Sequence, residues 1–366
     1  MNLKWLPALF ILASCHLSTH QSGSHQQGIS TSHECRPQFP FTDTWVGADG
    51  GNSILLDPDT KKSLWIFGDT FMSHDGAGDR HRFSMPSITI GVSSCHLGDF
   101  QIEYFWQGES PSFQPYFSPG NDEHYWPGDG IKLGDQVYIY LHRIKKSPEF
   151  PFGFQNRGTD LAMVSGLERS PDQWDTQIIP LSSTTEFSFG RSVLEEGDYL
   201  YLGGNLTDRN AIFMVRTRKD QITNPEALEV QKADLGWEPL GTSYQRADLN
   251  LLVEYGAAEF SIEKTQGQYL MVYTEHFFPS SKAMIATSPS LDQPFTNLVT
   301  TYPYPDDDHF GKDLFCYAAK HHPQFSRSDA LLMTYIGNAD FFKTLPHNLE
   351  AYKLKSVWVP FPIHHR

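Results

Sequence analysis

Leu64-Trp65-Ile66-Phe67 is the first of five versions of one short pattern, followed by Val137-Tyr138-Ile139-Tyr140, Tyr199-Leu200-Tyr201-Leu202, Tyr269-Leu270-Met271-Val272-Tyr273 and Leu331-Leu332-Met333-Thr334-Tyr335. Each has strand length and is rich in aromatic or β-branched side chains, which fit a pleated surface. Four are preceded by a turn pair, Gly134-Asp135, Gly197-Asp198, Gly267-Gln268 and Ser328-Asp329. Each pair reads as the connection of a β-hairpin. The residues leading into the first strand of each hairpin are Asp49, Asp129, Arg191, Glu259 and His322, at separations of 80, 62, 68 and 63 residues. That interval is what one four-stranded propeller blade with its loops requires.

Further strands are expected over Ser87 to Ser94, Gln101 to Gln107, Leu161 to Ser165, Gln177 to Leu181, Ala211 to Val215, Ala283 to Thr287 and Asn297 to Tyr302. The last hairpin is followed only by Ala351 to Val359, so Gln38 to Thr42 is expected to complete that blade and close the ring. Closure removes the exposed sheet edges. The expected fold is all-β: a five-bladed β-propeller with about four antiparallel strands per blade around a central channel, forming one domain over residues 35–366. A β-helix repeats every twenty or so residues and a sandwich need not repeat, so the spacing favours neither.

Apolar residues make up 39% of the chain and aromatics 14%, enough for a large packed core. The formal charge of -15 opposes the phosphate attraction that drives nucleic-acid binding, so no nucleic-acid partner is expected. A neutral or cationic substrate suits it better. The chain has no Gly-x-Ser-x-Gly elbow, no His-Glu-x-x-His, no Cys-x-x-Cys and no phosphate-cradling loop with its lysine.

The N-terminus carries Lys4, then an apolar run from Trp5 to Ala13. The run is too short to span a bilayer and reads as a signal peptide over residues 1–14. Leu12-Ala13-Ser14-Cys15 is similar to a bacterial lipobox, which implies cleavage before Cys15 and lipidation of its thiol. His16 stands where an inner-membrane retention signal usually has Asp, so an exported outer-membrane or cell-surface lipoprotein is expected. Residues 15–34, rich in Ser, His, Gln and Gly, read as a flexible tether. Of the remaining cysteines, Cys35, Cys95 and Cys316, a circular fold would let Cys35 near the start meet Cys316 near the end.

In a propeller the innermost strands line one shared channel, so the five lead residues should converge. Two carboxylates facing one glycosidic bond suffice for hydrolysis. Asp49, in Gly47-Ala48-Asp49-Gly50, and Asp129, in Trp126-Pro127-Gly128-Asp129-Gly130, are the expected pair, with Glu259 as an alternative proton donor. Each also fits a plainer role, since Asp-Gly marks turns and Glu259 could simply pair with Arg191. Arg191 could orient a carboxylate or a sugar hydroxyl with its planar fork. Asp69, at the end of the first repeated strand, His322 of His321-His322-Pro323, and the aromatics Trp126 and Tyr125 are candidates for substrate contact. Asp306 to Asp308 reads as a solvated loop. No cofactor is required; a structural ion in the channel is left open, as is the identity of any metal. The partners expected are a polysaccharide substrate and the lipid anchor through Cys15, with the protein itself monomeric.

Trp45 through Gly51, Trp65 to Thr70, Trp126 to Gly130, Ala258 to Ile262 and Tyr317 to Gly337 occur in an order that resembles the five-bladed propellers called domain of unknown function 4185. The resemblance covers about Phe39 to Pro360. Some members are classed in glycoside hydrolase family 183 and act within D-arabinan, so it implies a furanoside substrate. The wider arabinanase and fructosidase propellers use an aspartate of the first blade, which implies a role for Asp49. Their acid glutamate sits in the third blade, where this chain has Arg191, so the proton donor stays open between Asp129 and Glu259. The function expected is a surface-anchored glycoside hydrolase, the alternative a glycan-binding propeller without turnover.

Overall fold

A computed structural model describes residues 34–149, 153–207, 210–265, 267–275, 282–304, 315–339, 345 and 348–361. Cys15, the tether up to His33 and the acidic run Asp306 to Asp308 lie outside the described residues. From Glu34 onward the chain is an all-β five-bladed propeller, each blade a separate antiparallel sheet.

The first blade holds β1 (Trp45–Asp57), β2 (Lys62–Ser73), the short β3 (Phe83–Ser84), β4 (Thr89–His96) and β5 (Asp99–Phe105). The second is a plain meander of β6 (Glu123–Leu133), β7 (Gln136–Lys146), β8 (Phe154–Ser165) and β9 (Asp175–Ser182). The third begins with β10 (Phe187–Glu196), β11 (Tyr199–Leu206) and β12 (Ile212–Arg218). It is then widened by β13 (Glu229–Gln231), β14 (Trp237–Pro239) and β15 (Leu251–Val253). The fourth is β16 (Phe260–Thr265), β17 (Gln268–Thr274), β18 (Lys282–Ser288) and β19 (Asn297–Pro303). The fifth is β20 (Phe315–His321), β21 (Ala330–Asn338) and β22 (Leu354–Pro360).

The innermost strands β1, β6, β10, β16 and β20 neighbour one another in that order, and β20 returns to β1. Between successive blades the alternate residues of each strand meet in an apolar core, as the two-residue period requires. Ile54, Leu64 and Ile66 of the first blade thus pack against Tyr125, Val137 and Ile139 of the second. Tyr140 and Leu161 of the second meet Phe187 and Phe189 of the third. At the closing interface Trp45, Trp65 and Phe67 pack against Phe325, Leu332 and Leu354. Within the first blade Trp45 stacks on Tyr104 with ring centroids 4.0 Å apart, and across the seam Trp65 stacks on Phe325 at 5.6 Å.

The N-terminal segment closes the ring as a strap rather than as a fourth strand of the last blade. Arg36 Nε donates to the Ser356 carbonyl of β22 at 3.1 Å, and the Tyr104 hydroxyl of β5 donates to the Pro40 carbonyl at 3.2 Å. Phe39 sits edge-on against Trp65 and Phe67. The strap therefore bridges the fifth and first blades through side chains, without a backbone ladder. Its direction decides the disulfide: Cys35 bonds Cys95, at the end of β4, across a Cα separation of 6.1 Å. The expected partner, Cys316, is in no disulfide and is buried in the core between the fourth and fifth blades, away from the strap.

Candidate active site in the channel

Three of the lead residues, Asp49, Asp129 and Arg191, sit inside β-bulges of the innermost strands, where an extra residue breaks the ladder and re-aims side chains, while Glu259 directly precedes β16. In β1 the register passes from Ala48↔Thr70 to Gly50↔Phe67, leaving Asp49 on one strand and Gly68 and Asp69 on the other. In β6 it passes from Pro127↔Leu141 to Gly130↔Ile139, so here the longer side, Gly128 and Asp129, lies on the inner strand. Gly190 and Arg191 of β10 and Ala318 and Ala319 of β20 are set out of register in the same way.

Because the first two bulges are opposite in sense, Asp49 and Asp129 do not converge. Asp49 opens into a cavity of about 260 Å³ that is also lined by Asp69, Trp126, Arg191, Glu259 and Tyr317. Asp129 opens into a second cavity of about 330 Å³, with Glu263, Lys320, His321 and His322. Its Oδ2 accepts from the Val193 amide at 2.8 Å, bridging the second blade to the third. The expected Asp49–Asp129 pair is thus replaced by Asp49, Asp69 and Glu259 around one cavity.

Asp49 is held closely. Its Oδ2 accepts a 2.7 Å hydrogen bond from the Tyr317 hydroxyl. A methyl group built on Gly68 would lie 2.1 Å from Asp49 Oδ1, so only glycine leaves room for the carboxylate. Gly50 has φ +76°, and a Cβ there would come within 2.9 Å of the Gly68 amide nitrogen. The two Gly-Asp neighbours are therefore a packing unit as well as a turn. Across the cavity, Glu259 Oε1 accepts from Lys320 Nζ at 2.6 Å, and the same ammonium donates to the Gly50 carbonyl at 3.1 Å. Arg191 Nε donates to Ser188 Oγ at 3.1 Å, and the guanidinium lines the cavity. Glu259 consequently pairs with Lys320 rather than forming the Arg191 ion pair considered from sequence.

Burial pushes Asp49 up to about 6, helped by the charge of Glu259 and opposed by the Tyr317 hydrogen bond. Asp69 is pushed higher, to about 8, by burial and then by the charge of Asp49. Both carboxyl groups are raised, and the charge on one favours the proton on the other, so the pair shares its ionisation. A pair of this kind is how carboxyl groups divide proton donation and abstraction. Arg191 is lowered to about 10 by burial, with Glu259 opposing the shift.

The remaining candidates fall elsewhere. Tyr125 points into the core between the first two blades, 1% exposed, and its hydroxyl donates to Asp160 Oδ2 at 2.7 Å, so its ring cannot stack on a sugar. His322 follows the end of β20 instead of leading a strand. Its ring is buried, with Nδ1 2.6 Å from Ser53 Oγ and Nε2 2.7 Å from Thr334 Oγ1, at the second cavity. Sequence reasoning missed Tyr317 and Lys320, which flank the true bulge of the fifth blade. A search for the bulge upstream of the His322-Pro323 turn would have reached them. Glu263 was also missed; it is raised to about 8 by burial and by Asp129, itself raised by burial to about 7. Among the described residues no group of three or more His, Cys, Asp or Glu side chains is placed to hold a metal ion.

Comparison with known proteins matches the model of one family, Domain of unknown function (DUF5005), over residues 38–356. The chain belongs to the DUF5005 family. The match is thus to DUF5005, where the motifs resembled domain of unknown function 4185. A protein of Bacteroides ovatus ATCC 8483 described as a "putative hydrolase" has a similar structure, with TM-score 0.69 at 18% identity over 86% of each chain. That likeness shows a shared fold for this DUF5005 member. The catalytic domain of Coprinopsis cinerea GH62 α-L-arabinofuranosidase matches with TM-score 0.48 at 12% identity, over 88% of this chain and 94% of its own. A search of curated proteins finds no match.

Proposed function

We propose that this DUF5005 protein is a glycoside hydrolase that cleaves a furanoside polysaccharide such as arabinan, using carboxyl groups of the 260 Å³ cavity. The observation that carries the reading is that Asp49 and Asp69 face one cavity, both raised by burial and Asp69 further by the charge of Asp49. In this reading Asp69 donates the proton to the leaving oxygen and Asp49 acts as nucleophile or activates water. Glu259, held by Lys320, and Arg191 form the opposite wall and bind sugar hydroxyls, while Trp126 offers an apolar face to the ring. The chemistry needs no cofactor. A monomer tethered to the outer membrane or cell surface through a lipidated Cys15 would meet such a polymer outside the cell.

The test is release of reducing ends by the full chain from arabinans, fructans and galactans, beside Asp49→Asn and Asp69→Asn. Activity on one polymer, lost in both variants with folding intact, supports the reading. Absence of release from every polymer, or variants that remain fully active, overturns it. A second reading, glycan binding without turnover, is favoured by the ties on Asp49 and Glu259, which Tyr317 and Lys320 already occupy. It predicts binding to one of the same polymers with no release.

A further inference from the structure

His124, Trp126 and Phe154 form an aromatic cluster at the edge of the cavity. Ring centroids are 5.1 Å apart for Trp126 and Phe154, 5.8 Å for His124 and Phe154, and 6.1 Å for His124 and Trp126. The pleat explains the grouping: His124 and Trp126 lie two residues apart on β6, on the face opposite Tyr125, and Phe154, which opens β8, pairs with Lys146 at the end of β7. Tyr125 goes into the core and its two neighbours come out of it.

Three features separate this cluster from ordinary packing. All three side chains are half-exposed, and none belongs to the apolar cores between the blades. Their mutual angles, 60° to 76°, make every contact edge-on or tilted, so no pair is stacked face to face. Trp126 alone of the three lines the carboxyl cavity, and its ring contacts with His124 and Phe154 join the cluster to it. Burial, with the nearby charge of Lys146, lowers His124 and keeps its ring neutral at neutral pH. The exposed Lys146 lies opposite Phe154 in the ladder of β7 and β8, which puts a hydrogen-bond donor beside the cluster.

We propose that His124, Trp126 and Phe154 are a second sugar-binding subsite, which takes the glycan residue next to the one held in the carboxyl cavity. Apolar ring faces beside a hydrogen-bond donor match the two faces of a sugar, one lined by C–H groups and one edged by hydroxyls. The inference rests on the glycan reading of the cavity. It adds that the ligand is at least two sugars long and runs across the second blade.

The test is calorimetric binding of mono-, di-, tri- and tetrasaccharides of arabinan, fructan and galactan to full-length Asp49→Asn, which removes turnover. The same series is run on Asp49→Asn with Phe154→Ala and on Asp49→Asn with His124→Ala, and each variant's thermal midpoint is checked. Expected is a rise in affinity of about tenfold between the mono- and disaccharide of one series. Phe154→Ala abolishes that rise while leaving monosaccharide affinity and the thermal midpoint unchanged. Binding with no dependence on length, or a step that survives both substitutions, overturns the subsite and leaves the cavity reading standing. No binding at any length overturns both. If Phe154→Ala lowers the thermal midpoint, Phe154→Leu, which keeps apolar volume without a ring, decides by the same criterion.

Discussion

The hydroxyl of Tyr317 in the last blade donates a 2.7 Å hydrogen bond to the carboxylate of Asp49 in the first, across the seam where the propeller closes. This bond stabilises the ionised form of Asp49 and opposes the upward push of burial and Glu259. Tyr317→Phe removes it and raises the pKa of Asp49 further. If Asp49 must be ionised for turnover, the acidic limb of the pH–rate profile moves to higher pH, by up to about one unit. An unchanged limb would separate Asp49 from the rate-limiting ionisation.

Gly68→Ala tests the packing unit. The added methyl would fall 2.1 Å from Asp49 Oδ1, well inside contact distance, so either the carboxylate or the backbone of β2 must move. Displacing a reacting group by about 1 Å typically costs around a hundredfold in rate, and overpacking costs about 1–3 kcal/mol in stability. Measured side by side, kcat and the denaturation midpoint should both fall. Retention of full activity would show that Asp49 does not need its position.

Much of the fold was readable because hairpins announce themselves: Gly134-Asp135 and Gly197-Asp198 join paired strands as expected, and Gly267 lies in a third such turn, with Gln268 already paired to Thr265 in the ladder. The three-residue strands of the third blade were not, since Glu229–Gln231 and Trp237–Pro239 are too short and polar to show a period. The site was half legible. Asp49, Asp69, Glu259, Arg191 and Trp126 do share one cavity, yet Asp129 is turned away by a bulge whose longer side lies on the other strand. Identical Asp-Gly pairs carry no mark of that difference. His322 misled for a related reason: its 3-10 turn at Pro323–Phe325 lengthens the hairpin, and the lead position moves upstream.

Acid should stabilise this protein within limits. Asp69, Asp129 and Glu263 have folded-state pKa values of about 8, 7 and 8, raised above the ordinary carboxylate range mainly by burial. Between about pH 4 and pH 8 the folded state therefore holds more protons on these groups than the unfolded chain does. Their contribution is fully present below the unfolded value and is lost as pH rises through the folded one. The thermal midpoint should rise from pH 8 to about pH 7, above the range in which buried His142, His321 and His322, all lowered by burial, pull the other way, and Glu263→Gln should flatten that rise. A midpoint that climbs with pH over this range, and is unaffected by Glu263→Gln, would contradict the buried-carboxyl account.

The strap offers the last prediction. Cys35 and Cys95 are separated by 60 residues, and their bond fixes the N-terminal segment to the first blade while Arg36 and Ser356 hold it to the fifth. Opening a loop of that length restores chain entropy to the unfolded state, a loss of about 2–4 kcal/mol of stability. Cys95→Ser should therefore lower the denaturant midpoint, and reductant should lower the wild-type midpoint while leaving Cys95→Ser unchanged. Cys316→Ser replaces a buried thiol outside the strap and should leave the sensitivity to reductant intact. Because Phe39 packs on Trp65 and Phe67 behind β1, loosening the strap should also disturb the seam that carries Asp49 and Tyr317. If reduction costs stability but not glycan binding, the strap and the cavity are independent; if both fall together, ring closure is what holds the Asp49–Tyr317 pair in register.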